Sequence, residues 1–156
     1  MSDDDTEMIA DFAAMLMTLK AHPDKAIINA LTMIASDEAE AFPVLYKVIE
    51  TMMFDKGVVG SYKIPLFYLV DSMLNNCEGE EYKAAIQPTI VAVFKHLYGV
   101  VKVGERGKLK KVLGLWSERK MFGEEIIGQL QVREGRRDMW IRVICDMWLR
   151  KADEEQ

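Results

Sequence analysis

The chain has 156 residues, half of them hydrophobic, and a formal net charge of −5. Ten glycines and four prolines are too few for a low-complexity or disordered chain, which would lack the apolar surface to offset its ordering entropy. The length suits one domain with a sizeable core, and no apolar run approaches the roughly 18 residues of a membrane-spanning helix.

The charge is unevenly spread. Residues 1–60 carry 4 basic and 11 acidic side chains, whereas residues 101–156 carry 13 and 10. Lys102 to Lys120 alone holds seven basic residues against Glu105 and Glu118. Such a patch on an acidic protein suits a local anionic ligand better than bulk nucleic-acid affinity; a solvated helix face reads the same way. The opening Ser2-Asp3-Asp4-Asp5 is unlike the basic start of a secretory leader.

In chain order, the apolar spacing is helical almost throughout. Met8, Phe12, Met15, Leu16 and Leu19 form a first stripe. Asp24 is placed to cap a second helix bearing Ile27, Ala30, Leu31 and Ile34. Ser36-Asp37 restarts the chain, with Asp37 and Glu40 at capping-box spacing. Leu45, Val48, Ile49 and Met52 make a third stripe, ended by Asp55-Lys56-Gly57.

Tyr62 to Asn76 is apolar nearly all round and reads as the central helix, with Pro65 in its first turn. Glu78-Gly79-Glu80 breaks it. Pro88 is expected to separate a short helix from a longer one bearing Ile90, Val91, Phe94, Leu97 and Tyr98. Gly104 and Gly107 bracket a turn before the stripe Leu109, Val112, Leu113 and Trp116. A short helix is expected over Gly123 to Leu130. A last one, from Arg136 to Lys151, gathers Met139, Trp140, Val143, Ile144, Met147 and Trp148 on one side. No segment carries strand and hairpin signals. Seven to nine helices on short loops predict an all-α bundle or superhelix.

Enzyme chemistry is missing. There is no phosphate-binding glycine loop, nucleophile elbow or paired-histidine metal motif. The two cysteines, Cys77 and Cys145, and the two histidines, His22 and His96, form neither a disulfide framework nor a ligand cluster. No cofactor is expected.

What remains is a polar stripe on the central helix. Tyr68, Asp71, Ser72 and Asn75 stand at i, i+3, i+4 and i+7. A carboxylate there needs donors. They are either neighbouring groups inside the core or a ligand's hydroxyl, in which case the stripe floors a groove. Lys108, Lys111 and Leu115 flank the core stripe of the basic helix, where two lysines could hold a phosphate.

Lys63-Ile64-Pro65-Leu66-Phe67-Tyr68-Leu69-Val70-Asp71-Ser72-Met73, then Asn75-Asn76, closely resembles the signature K-x-P-x-x-Y-x-x-D-S-I, followed by K-N, of the CTD-interacting domain, or CID. Lys108 to Trp116 is similar to that family's K-I-x-R-V-L-x-L-W stretch, Met121-Phe122 with Ile126-Ile127 to its V-F…I-I, and Ile27 to Thr32 to its second helix. The likeness spans roughly residues 8–131, in the family's order.

The resemblance implies eight helices in a right-handed superhelix of the VHS/ENTH kind, and binding of the heptad-repeat tail of RNA polymerase II, usually phosphorylated. The tail would lie in a β-turn across the family's second, fourth and seventh helices. Asp71 would accept a bond from the peptide tyrosine hydroxyl, with Tyr68, Ser72 and Asn75 beside it, Ile28 and Asn29 reaching in from the second helix, and Leu115 on the basic helix. Lys108 and Lys111 would meet phosphate. Lys111 stands where many members have arginine, a planar fork in place of a point charge. The loop Asn76-Cys77-Glu78-Gly79 also departs from the family's K-N-x-G.

The expected layout is a CID-like unit over residues 1–132, an amphipathic C-terminal helix over 133–151 that packs on it or serves a partner, and a tail over 152–156. The expected setting is the nucleus, with 3′-end processing or termination factors as further partners and neither sequence-specific DNA nor membrane. The alternatives are a VHS/ENTH-like trafficking adaptor binding cargo peptide or phosphoinositide membrane, and a helical scaffold in which Asp71 is only an internal anchor.

Overall fold

The computed structural model describes residues 3–19 and 23–131. Within them the chain forms seven α-helices and two 3-10 turns, with no strand. The helices are α1 (Asp3–Leu16), α2 (Lys25–Asp37), α3 (Phe42–Phe54), α4 (Gly60–Asn76), α5 (Glu80–Val100), α6 (Arg106–Glu118) and α7 (Glu124–Gln131). The expected helix over 133–151, with Trp140 and Trp148, lies outside the described residues, as do His22 and Cys145.

Each helix packs on the one two places along the chain, and four of the six consecutive pairs also pack on each other. The contacts α1–α3, α3–α5 and α5–α7 build one layer, α2–α4 and α4–α6 the other, and α1–α2, α3–α4, α4–α5 and α6–α7 tie the layers together. This is what successive short-linked helices produce when each must bury one stripe and none closes a ring. α4 sits in the middle, and nine of its residues are buried, from Lys63 to Leu74. Phe67 packs at 5.2 Å from Trp116 of α6 and 6.3 Å from Phe94 of α5, so the aromatic core joins both layers.

Helix starts and ends follow local chemistry. The Asp24 carboxylate accepts from the N–H groups of Ala26 and Ile27 at 3.0 and 3.3 Å, the expected cap of α2. The capping box at Asp37 does not form. α2 runs through Asp37 because the buried Tyr82 hydroxyl donates to the carbonyls of Ala35 and Ser36, at 2.9 and 3.2 Å, and so satisfies its C-terminal end. A 3-10 turn, Ala39–Ala41, follows, and α3 opens with Pro43 in its first turn, where the missing N–H is harmless.

Three further expectations are corrected. Pro88 does not divide α5, a single helix of 21 residues. Its buried stripe of Tyr82, Ile86, Ile90, Val93, Phe94 and Leu97 runs past the proline, which faces solvent. Ala84, whose carbonyl loses its helical donor, is also exposed, on the solvent side of the helix. Pro65 lies in the second turn of α4, because the helix begins at Gly60. Gly107 belongs to the first turn of α6; the corner before it is the 3-10 turn Val103–Glu105. Arg106 pins that corner by donating to the Tyr98 carbonyl at 2.9 Å, its guanidinium 4.5 Å from the centre of the Tyr98 ring.

Two glycines are required by geometry. Gly79 has φ +121° and turns the chain from α4 into α5. Gly60 lies against α5: a Cβ there would fall on the carbonyl oxygen of Val100 and 2.9 Å from its carbon.

Between α4 and α5, Lys63 is buried and its Nζ lies 2.8 Å from His96 Nε2. An ammonium only donates, so the imidazole is neutral with its proton on Nδ1. Burial pushes Lys63 below the usual lysine range, partly offset by the Asp55 carboxylate. His96 is also held down, first by burial and then by the Lys63 charge, with a main-chain bond to Met53 pulling the other way. Phe54 packs 5.0 Å from the imidazole.

Candidate functional site

The polar stripe of α4 faces the space between α2 and α6. Asp71 is half-buried. Its Oδ1 accepts from the indole Nε1–H of Trp116 at 2.7 Å and from Asn75 Nδ2 at 3.1 Å. Trp116 is fully buried, and a buried indole N–H needs an acceptor. Asn75 in turn accepts from Arg119 Nη1 at 2.8 Å. The result is a chain, Trp116–Asp71–Asn75–Arg119, that crosses twice between α4 and α6. It fixes the carboxylate and also the Asn75 amide, since the flipped amide would set oxygen against oxygen. Among the described residues Oδ2 of Asp71 takes no hydrogen bond, and it remains available as an acceptor. Of the two donor sources open to the sequence reading, internal groups serve one oxygen and leave the other.

Ser72 sits on the α2 side of the stripe. Thr32 spends its proton on the Ile28 carbonyl at 2.7 Å, so the 2.8 Å contact between the two hydroxyls runs from Ser72 to Thr32. Asn76 donates to the Ser72 carbonyl at 2.8 Å and to its Oγ at 3.4 Å. Ser72 therefore ties α4 to α2. Ile28 is buried one turn before Thr32, and Asn29 beside it is exposed. Tyr68, one turn before Asp71, is half-buried and its hydroxyl has no hydrogen-bond partner among the described residues. Burial, and secondarily the Glu105 carboxylate, push its phenol up from the ordinary value.

On α6, Lys108, Lys111 and Leu115 follow one another at helical spacing on one face, and Arg119, the C-cap residue, continues the spacing one turn on. Lys108 is not a free cation: its Nζ lies 3.8 Å from Glu105 Oε2. Lys111 is exposed and has no ion pair among the described residues, and Leu115 is half-buried. The structure thus links Ser72 to α2 and Asp71 and Asn75 to α6. Among the described residues, no hydrogen bond or ion pair runs from Asn29 or Lys111 to the α4 stripe.

Sequence reasoning missed Thr32, Trp116 and Arg119 as parts of this site, and Glu105 as the carboxylate that flanks it. Two signals were present: a buried tryptophan N–H seeking an acceptor, and the stripe Lys108–Lys111–Leu115 continued one turn to Arg119. Among the described residues no cluster of histidine, cysteine and carboxylates could hold a metal.

The family model described as the CID domain matches residues 10–130. The chain belongs to that family. In solved structures, this CID domain resembles the crystal structure of the RPR of Pcf11, with a TM-score of 0.72, 22% identity, and coverage of 79% of this chain and 95% of that one. That likeness carries the all-helical fold. Curated relatives include the human regulation of nuclear pre-mRNA domain-containing protein 1B, 28% identical over 72 residues, 45% of this chain and 22% of that protein. The human calcium homeostasis endoplasmic reticulum protein is 29% identical over 72 residues, 44% of this chain and 8% of that protein. The matched stretch is a small part of both relatives. The CID match ends at residue 130, before the segment 133–151.

Proposed function

We propose that this CID domain is a non-enzymatic reader of the phosphorylated heptad-repeat tail of the largest subunit of RNA polymerase II. It would work in the nucleus, where transcription is coupled to RNA 3′-end processing or termination, alongside other factors of those steps. The observation that carries the reading is the Asp71 carboxylate. One oxygen is held by Trp116 and Asn75, and the other is open, one turn from the unbonded Tyr68 hydroxyl. That is an acceptor fixed in advance for a hydroxyl donor, and a hydrogen bond to a charged acceptor contributes about 1.5–3 kcal/mol. Tyr68, Ser72 and Asn75 surround it, Ile28 and Asn29 supply the α2 wall, and Leu115 offers an apolar contact on α6. Lys111 provides the charge for phosphate, and Lys108, one turn before it, shares its charge with Glu105. A relative named for regulation of nuclear pre-mRNA supports the setting.

The tail orders on binding, so one repeat binds modestly and several gain by avidity. The test is fluorescence anisotropy with labelled two-repeat peptides, unmodified and singly phosphorylated at each serine. Asp71→Ala is expected to weaken every peptide about tenfold or more. Lys111→Glu is expected to weaken phosphopeptides at least fivefold more than the unmodified one. Equal losses for both, or binding to phosphoinositide vesicles with none to the peptides, would overturn the assignment.

A further inference from the structure

The cations on the α6 face are not equivalent. Lys111 has no ion pair among the described residues, and Arg119 donates to the neutral amide of Asn75. Lys108 alone faces a carboxylate, Glu105, which ends the 3-10 turn just before α6. Glu105 is well held. Its side chain is 23% exposed against 57% for Lys108, and its N–H donates to the Lys102 carbonyl at 2.8 Å. A carboxylate at the start of α6 also has the helix dipole in its favour. Its field reaches Tyr68, which shifts upward partly because of it. The groove is therefore nearly neutral at its Tyr68–Lys108 end and positive toward Lys111 and Arg119. Arg119, at the C-cap of α6, lies eleven positions after Lys108, about 16 Å along the axis. That is enough to tell one phosphate position from another.

We propose, on the reading of the groove as a tail-binding site, that Glu105 is a specificity-determining residue: it neutralises Lys108, so that phosphate is accepted at the Lys111–Arg119 end and a second phosphate is refused beside Tyr68. A phosphate entering that end would meet a like charge and would first have to displace it from the lysine.

The test measures anisotropy for the full chain with two-repeat peptides carrying no, one or two phosphates, for wild type, Glu105→Gln, and Glu105→Gln combined with Lys108→Met. Circular dichroism melts confirm that each is folded. Wild type is expected to gain less than about twofold from the second phosphate. Glu105→Gln is expected to gain about three- to tenfold on the doubly phosphorylated peptide, with the unmodified peptide unchanged within about twofold, and Lys108→Met is expected to abolish the gain. A structural role for Glu105 would move all peptides together, and that result overturns the proposal, as does a wild type that already gains tenfold from the second phosphate. Either outcome leaves wild-type tail binding standing, whereas a wild type that binds no peptide removes the tail reading and this proposal with it.

Discussion

Trp116→Phe tests the hydrogen-bonded chain beneath the site. The indole is fully buried, with ring centres 5.2 Å from Phe67 and 5.4 Å from Phe122, and a phenyl ring keeps both contacts. Two things are lost. The 2.7 Å bond to Asp71 is charge-assisted, but the carboxylate is half-exposed, so the low end of about 1.5 kcal/mol applies. The smaller ring leaves a void of roughly 40 Å³, which adds about 1 kcal/mol at 24 cal/mol per Å³. The expected loss is about 2.5 kcal/mol in urea unfolding followed by circular dichroism. Repeating the substitution in an Asp71→Ala background, where the indole N–H has already lost its acceptor, should cost at most the void, about 1 kcal/mol, and so give a coupling of about 1.5 kcal/mol or more. A Trp116→Phe penalty that is the same in both backgrounds would refute the bond as a contributor to stability.

Gly60→Ala adds a good helix former, yet its methyl would press on the Val100 main chain, which cannot rotate away; a net loss of about 2 kcal/mol is expected in thermal melts, where a gain near 1 would be seen in open space. Asp24→Ala removes the α2 cap and should lower urea stability by about 1 kcal/mol. The Lys63–His96 pair makes stability pH-dependent. His96 titrates lower in the folded chain, so the unfolded chain takes up the proton first, and stability is full above about pH 6.5 and falls as the pH drops through it. His96→Asn should flatten the urea midpoint between about pH 7 and 5, and a wild-type midpoint that rises on acidification would contradict the arrangement.

The all-α fold was legible because its signals are local. The Asp24 cap and the apolar stripes act within one or two turns, and α4 announces its central place by being apolar nearly all round. The errors arose where distant residues intervene. Asp37 could not be known as a helix end without Tyr82, whose hydroxyl arrives from α5. Pro88 reads as a breaker unless its solvent-facing position on a continuous stripe is known. The buried Lys63 looked like one letter of a motif; its partner His96 lies 33 residues away. For the site, the spacing placed Tyr68, Asp71, Ser72 and Asn75 on one stripe, but not the division of labour among them. That Ser72 turns to α2 while Asp71 turns to α6 depends on Thr32 and Trp116, each 40 or more residues distant.

The burial of α4 has a consequence for how such a groove changes over evolutionary time. Most substitutions on α4 disturb packing on several sides at once, and buried changes commonly destabilise by 1 kcal/mol or more. The α6 face is different: Lys108, Lys111 and Arg119 point outward, where exchanges are nearly neutral for folding. On the proposed reading as a tail-binding groove, a lineage would be free to drift in which phosphate pattern it prefers, by changing α6, while the carboxylate anchored on α4 stays in place. Variation in ligand preference should accumulate on the helix that the core can spare.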